Sequence, residues 1–387
     1  MSAYDPELEA VARELEAALG EEDLAKARYQ LRMRLMRLVV SLLVSVGMAV
    51  LWLPTGWAVA LRNALDANAH WWATWLALIV FMLVVAVVEL PVAWFFGFRL
   101  EERLGTNRQS LGGWLWDEVK ETALNIPLQS ALFLGLYLIF RRWPDRWLPG
   151  LIAVVVVFMV VFYLLSPVFL RMRYKTEPLD DPELEARLRD LFARAGVRFG
   201  RLAVLKSGEK SSRGNAAVVP KGAGNEVVIS DTLLEAADPV QVEVVIAHEL
   251  GHKVHHDLLK LMVLLGGAFV VMLAVGYGVL QTLGTWDGLG GPADVATFPL
   301  LALVVAVLSA GLQVLLNVYS RRVERAADAY ALQMTGAPTA FEKVMTLLAQ
   351  QNKSLPLPPR AVEFFFYDHP SIARRVLMAR RWQQKMA

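Results

Sequence analysis

Apolar and polar positions along this chain separate into long blocks instead of alternating at short range. Leu38 to Leu61, Leu148 to Leu170, Leu261 to Thr285 and Val295 to Ser320 contain no charged residue. Each is long enough for a helix across a hydrocarbon core of roughly 30 Å, which takes about 20 residues. Two less regular segments, Trp71 to about Phe98 (interrupted by Glu89 and Pro91) and Ala123 to Phe140, bring the expected spans to six. Tryptophans near the ends of these runs (Trp52, Trp57, Trp71, Trp72, Trp143, Trp147) suit an interfacial belt. The predicted class is therefore mainly α: a polytopic α-helical membrane protein.

The blocks divide the chain into five parts. Residues 1–35, rich in Glu, Ala and Arg, read as an N-terminal cytoplasmic helix, and residues 36–170 hold spans one to four. Residues 171–257 form a polar insert. A two-span hairpin over 258–320 turns through the Gly-rich stretch Gly284 to Pro292, and a polar tail covers 321–387. Within the insert, Asp181-Pro182 predicts a capped helix start running to about Ala195. Leu202 to Lys206, Asn215 to Val219 and Glu226 to Ser230 read as short strands. The last two are joined by the turn-rich Lys221-Gly222-Ala223-Gly224-Asn225. Asp231 is placed to cap the next helix. From Pro239 a helix is expected through His256 and on into the fifth span, giving a small α+β part.

Composition narrows the partners. The chain is 56% hydrophobic and 20% charged with a formal net charge of +2, which lacks the uncompensated basic charge that nucleic acid requires. With no cysteine, a metal would have to be held by nitrogen and oxygen. The first apolar run follows a mixed-charge segment, which argues against a cleavable signal peptide. Lys and Arg are abundant in the N-terminal segment, the loop with Arg99, Arg103, Arg108 and Lys120, the insert and the tail. By the positive-inside bias those four parts, and the chemistry they carry, face the cytoplasm. Arg62 and the group Arg141, Arg142 and Arg146 run against the bias and fall on the outer face.

The chemistry is concentrated in His248-Glu249-Leu250-Gly251-His252. Two histidines at i and i+4 share a helical face, so both imidazoles reach one cation, and the glutamate beside the first is placed to take a proton from water. A third histidine six residues on is absent, since Leu258 stands there. A glutamate from another helix is the other solution. From His252 the chain climbs about 30 residues and descends about 30 more to Glu324, each arm roughly 45 Å long, so the hairpin returns Glu324 to the level of the histidines. Asp328 lies four residues further on the same face, placed to orient an imagined ligand imidazole from behind. The bland alternative pairs Glu324 and Asp328 with nearby Arg321, Arg322 and Arg325. His256 shares the face of His248 and His252 but lies a turn too far for the same ion. It is either a supporting residue or simply polar.

Several separated motifs resemble the CAAX prenyl endoprotease family of membrane gluzincins. Ser320-Arg321-Arg322-Val323-Glu324-Arg325-Ala326-Ala327-Asp328 is similar to that family's S-R-x-x-E-x-x-A-D. Leu90-Pro91 followed by Glu101-Glu102-Arg103-Leu104-Gly105-Thr106-Asn107 resembles its L-P…E-E-x-x-G-x-N stretch. Ser211 to Ala216, Asp231-Thr232-Leu233-Leu234, and His369-Pro370 with Arg375 beyond also match, in order. The resemblance implies one Zn2+ per chain on His248, His252 and Glu324, with Glu249 as base and Asp328 behind the ligands. It further implies that Asn215 and His369, otherwise a turn residue and a surface histidine, hydrogen-bond the substrate backbone or the oxyanion. The fold it implies is a helical barrel enclosing a chamber, with a zincin-like catalytic part on the cytoplasmic side. Two departures stand out. Ala217 and Val218 occupy positions usually aromatic, and six spans are expected where seven are typical, with residues 1–35 in place of the first.

The expected function is zinc-dependent cleavage of peptides or proteins that are lipidated or held at membrane lipids, in a bacterial inner membrane. Asn215 to Val219 would be the edge strand that receives the substrate. HtpX-type quality-control proteases rank second, because they lack the Glu101-Glu102 region. An intramembrane site-2-type protease would place its histidines within a span. A transporter with a vestigial site, using Glu89 as an intramembrane acid, is the competing reading from another class.

Overall fold

The computed structural model describes residues 5–386 apart from 222, 223 and 287. Gly222 and Ala223 of the expected strand connection, Asp287 of the hairpin tip and the first four residues lie outside these. Six helices among the described residues are long and apolar enough to cross a membrane: Pro6–Trp52, Trp71–Leu104, Leu111–Arg142, Pro144–Leu165, Asp257–Leu283 and Val295–Thr335. They follow the order of the six expected spans.

The first helix, α1 (Pro6–Trp52), joins what the sequence divided at residue 35. Its interior is non-helical only at Gly20, whose φ of 78° is open to glycine and kinks the helix. Leu8, Val11, Ala12, Leu15 and Leu19 recur at helical spacing among Glu and Arg residues, and the structure buries that stripe. The first four enter the same apolar cluster as Leu188, Ile246 and Val376. Arg381 pairs with Asp5 and Glu7, Arg380 with Glu14, and Lys353 with Asp23. The N-terminal segment thus packs into the same core as the insert and the tail, and is continuous with the first span and not a separate helix. The apolar run ends earlier than expected too, because Pro54 stops α1 and a short helix α2 (Trp57–Leu65) follows.

Helix α3 (Trp71–Ala93) contains Pro91 and passes into a π-helical turn, Trp94–Arg99, before α4 (Leu100–Leu104). A missing N–H in mid-helix is a recognised cause of such a turn. Glu89 borders a small apolar crevice with Met48, Phe81 and Phe298. Helices α5 (Leu111–Arg142) and α6 (Trp147–Arg173) complete the first membrane block. Two of the basic residues that opposed the charge bias have structural work here. Arg62 pairs with buried Asp294, which also accepts from Asn68 Nδ2 at 2.8 Å. Arg141 donates to Ala293 O at 2.8 Å, Thr74 Oγ1 at 2.7 Å and Asn68 Oδ1 at 2.8 Å. These guanidiniums serve a polar knot that ties α2, α3, α5 and the hairpin tip together.

The insert contains a mixed sheet of order β1-β2-β4-β3, built from β1 (Lys175–Pro178), β2 (Phe199–Lys206), β3 (Ala216–Lys221) and β4 (Gly224–Ser230). β2 and β4 are parallel, while β1 and β3 run antiparallel on the two edges. Each edge strand carries a proline, Pro178 or Pro220, at a position a central strand would not tolerate. Asp181 caps α7 (Pro182–Arg194), accepting from Leu184 N at 3.0 Å. Helix α8 (Asp231–Ala236) is capped by Ser230 and not by Asp231, which instead accepts from Gly208 N at 2.8 Å.

Helix α9 (Pro239–Val254) opens on a capping box formed by Asp238 and Gln241. It does not continue into the membrane. The chain breaks at His256, with φ 54°, and restarts as α10 (Asp257–Leu283). Helix α11 (Phe298–Thr335) descends beside it; α12 (Pro338–Gln351) and α14 (Ile372–Met386) close the tail over α9 and α1, while α13 (Arg360–Phe366) packs on α11.

Candidate active site

Helix α9 lies along α11, and one residue sets how near. A Cβ on Gly251 would stand 3.1 Å from Ala327 Cα and 3.3 Å from Tyr330 Cβ, closer than most side-chain contacts tolerate. With no side chain there, the histidine-bearing face of α9 meets the Glu324 face of α11. α10 is 27 residues long and α11 reaches Glu324 after the same rise, so the hairpin brings the carboxylate back level.

The three side chains converge. Glu324 Oε2 is 3.2 Å from His248 Nε2, and Oε1 is 3.5 Å from His252 Nε2. The two Nε2 atoms are 3.2 Å apart. One donor atom from each of the three residues falls within 4.8 Å of the others, a separation that can hold a metal ion. Glu324 Oε2 is buried without a hydrogen-bond partner.

Carboxylates stand behind both imidazoles. Asp328 Oδ1 is 2.9 Å from His248 Nδ1, and Asp257 Oδ2 is 3.1 Å from His252 Nδ1. Each directs a proton to Nδ1 and leaves the Nε2 lone pair facing inward. Asp328, fully buried, is itself held by both arms of Arg375 from α14, with Nε 2.8 Å from Oδ2. Sequence reasoning placed Asp328 but missed Asp257, because the continuous helix it assumed would have turned that residue away. The break at His256 brings it back. His256 itself is exposed, and His255 packs its ring against Tyr330.

Glu249 and His369 line one cavity of about 400 Å3 with His248, Asn215 and Arg375. His369 Nε2 lies 3.2 Å from Glu324 Oε1, and its Nδ1 lies 3.0 Å from Asp368. Asn215 sits just before β3, its Oδ1 accepting from Ala216 N at 2.9 Å. Residues of α1, among them Gln30 and Arg34, form another wall. The Glu101 stretch reaches the same neighbourhood. Arg213 Nη2 binds both Glu101 oxygens at 2.9 and 2.8 Å, and Ser212 N donates to Thr106 O at 3.0 Å, fastening the insert to the membrane block.

Electrostatics follow from this crowding. Burial opposes charge on His248, but Asp328 and Glu324 outweigh it and raise its pKa to about 9 in the metal-free protein. Burial pushes the Glu249 carboxyl up, partly offset by the neighbouring histidines. His369 is likewise raised, burial being overcome by Asp368 and Glu324, while its hydrogen bond holds Asp368 down to about 2.

Comparison with known proteins gives the chain its family. Residues 178–383 match the family model described as peptidase family M48. Residues 4–171, including the Glu101-Glu102 stretch, match the model described as CAAX prenyl protease N-terminal, five membrane helices. The uncharacterized metalloprotease YhfN of Bacillus subtilis is 28% identical over 78% of this chain and 72% of its own. CAAX prenyl protease 1 of Saccharomyces cerevisiae is 21% identical over 75% of this chain and 68% of its own. The crystal structure of S. mikatae Ste24p has the same fold, with a TM-score of 0.78 at 19% identity, covering 97% of this chain and 99% of that one. With residues 178–383, more than half of the chain, matched to it, the chain belongs to peptidase family M48 and is a multi-pass membrane metalloprotease.

Proposed function

We propose that the chain is a zinc endopeptidase acting on lipidated or otherwise membrane-held peptides, with one ion per chain on His248, His252 and Glu324. The observation that carries the reading is the inward convergence of two Nε2 atoms 3.2 Å apart and a buried carboxylate oxygen without a hydrogen-bond partner. Three donor atoms converging on one point can share a cation once His248 gives up its proton, and two imidazoles with one carboxylate suit zinc. Bound there, zinc supplies Lewis acidity, polarising the scissile carbonyl and lowering the pKa of water to about 7.

The remaining steps fall to the chain's own groups. Glu249 takes the proton of the attacking water and delivers it to the leaving amine, a role helped by a carboxyl raised by burial. His369 and the Asn215 amide donate to the developing oxyanion or the substrate backbone. The outer edge of β3, paired only with β4 among the described strands, accepts an extended peptide, and Ala217 and Val218 shape the groove beside it. Relatives named CAAX prenyl proteases support a lipid-bearing substrate. The bias of basic residues supports a cytoplasmic site, and a bacterial inner membrane is the setting we favour.

Metal analysis of the purified chain should find about one zinc per chain. A chelator should remove metal and cleavage together, and zinc should restore both. Full-rate cleavage by zinc-free protein would sink the reading. Zinc uptake should also depend on pH. Below about 9 the metal-free site keeps a proton on His248, which zinc must displace. Affinity should therefore rise with pH up to about 9 and then level, and calorimetry at neutral pH in buffers of differing ionisation enthalpy should register proton release. Uptake without protons would contradict the assignment of His248.

A further inference from the structure

A second cavity, of about 440 Å3, opens beside α11 one turn from Glu324, and four guanidiniums border it: Arg321, Arg325, Arg360 and Arg374. Glu363 is the one carboxylate among the residues lining it, and it is engaged, accepting from Arg374 Nε at 2.9 Å and from Ser371 N at 3.1 Å. Basic side chains in the lining thus outnumber acidic ones four to one. Its level is fixed by hydrogen bonds between α11 and α13. Asn317 Nδ2 donates to Phe365 O at 2.7 Å, and Arg321 donates to Glu363 O at 3.0 Å and to Tyr367 O. These bonds hold α13 across α11 where the uncharged run ends and Arg321 begins.

At that same level α13 presents three successive phenylalanines outward, Phe364, Phe365 and Phe366, exposed by 48%, 45% and 39%. Exposed aromatic rings in a row are costly in water and favourable in the headgroup zone of a bilayer. The Arg321 guanidinium lies 5.8 Å over the Phe364 ring, joining the charged and aromatic parts of the patch. Planar guanidinium forks match phosphate oxygens, and a basic pocket at a membrane boundary suits an anionic headgroup.

We infer that this pocket binds the phosphate of an anionic phospholipid, with the acyl chains lying over the phenylalanines of α13. The site adjoins the catalytic cavity. Pro370 lines the lipid pocket and follows His369, while Glu363 holds the backbone of Ser371 on the other side. A bound headgroup steadies the segment that carries His369, so anionic lipid raises cleavage as well. That second effect rests on the role proposed for His369; the binding does not.

The test uses the full chain in neutral detergent, with native mass spectrometry of retained phosphatidylglycerol and phosphatidylcholine. The variants are Arg325→Gln with Arg360→Gln, and Arg322→Gln as a control that removes an exposed charge from the same helix outside the pocket. Zinc content and unfolding midpoint are followed as checks of folding. The parent should retain phosphatidylglycerol over phosphatidylcholine. The double variant should lose roughly fivefold per arginine, about 25-fold in all, and the control should not change. If the double variant folds poorly, Arg360→Gln alone should still show the roughly fivefold loss. Undiminished retention by the double variant, equal retention of phosphatidylcholine, or equal loss in the control overturns the site. Displacement by millimolar inorganic phosphate overturns the lipid in favour of a small phosphate. Should binding behave as stated while cleavage ignores the lipid, the inferred link to His369 falls.

Discussion

Glu249→Gln should leave the protein folded with its metal in place and lower cleavage roughly a thousandfold, the scale of a lost general base. Glutamine keeps the shape and hydrogen-bonding reach of glutamate but cannot accept a proton. Glu249 stands outside the cluster of converging donor atoms, so zinc content should not follow activity down. The parent should also show an acid limb. As pH falls and Glu249 becomes protonated, kcat/KM declines, and this limb should be missing from the residual rate of the variant. Metal analysis beside a fluorogenic peptide assay distinguishes the outcomes. Cleavage within about tenfold of the parent would remove Glu249 from the chemistry, and loss of zinc would recast it as a structural residue.

Why the sequence led to Glu324 and overlooked Asp257 is a matter of range. Two arms of similar length return to the same level whatever their packing, so counting residues up α10 and down α11 was enough to place Glu324 beside the two histidines. Asp328 followed from its spacing on the same helix. Asp257 depends on one backbone angle at His256, whose positive φ is favoured by no glycine or turn signal in the sequence. β1 was missed for a similar reason. Lys-Thr-Glu-Pro has no apolar alternation and becomes a strand only because Thr176 and Glu177 pair with Leu205 and Val204 of β2.

The N-terminal segment shows the opposite failure, since its signal was present and outweighed. The stripe from Leu8 to Leu19 has helical spacing, but the surrounding Glu and Arg gave it the look of a solvated helix. The helix that carries it packs on α12 and α14, far along the chain and brought together only by the tertiary fold. The consequence is functional, because α1 supplies Gln30 and Arg34 to the wall of the catalytic cavity while also crossing the membrane. Cavity wall and bilayer are therefore linked through one helix that runs unbroken from Gln30 into its apolar run.

The largest effect on stability should come from Arg375→Met. Asp328 is fully buried on α11, and both guanidinium arms of Arg375 hold it from α14. Removing the cation leaves a buried carboxylate facing only His248, and breaking such a pair costs about 3–5 kcal/mol. Methionine fills much of the volume and keeps apolar contact with Phe341, over whose ring the guanidinium sits 5.9 Å away, so the loss should report charge more than packing. Denaturant unfolding in detergent, followed by tryptophan fluorescence, should register the drop. Zinc affinity should fall by about 10–100-fold, because Asp328 is no longer held where it orients the His248 ring. Adding Asp328→Asn to Arg375→Met removes the stranded charge and should recover much of the stability but not the zinc affinity. A single-variant loss under about 1 kcal/mol would mean that the ion pair is not what fastens the tail to α11.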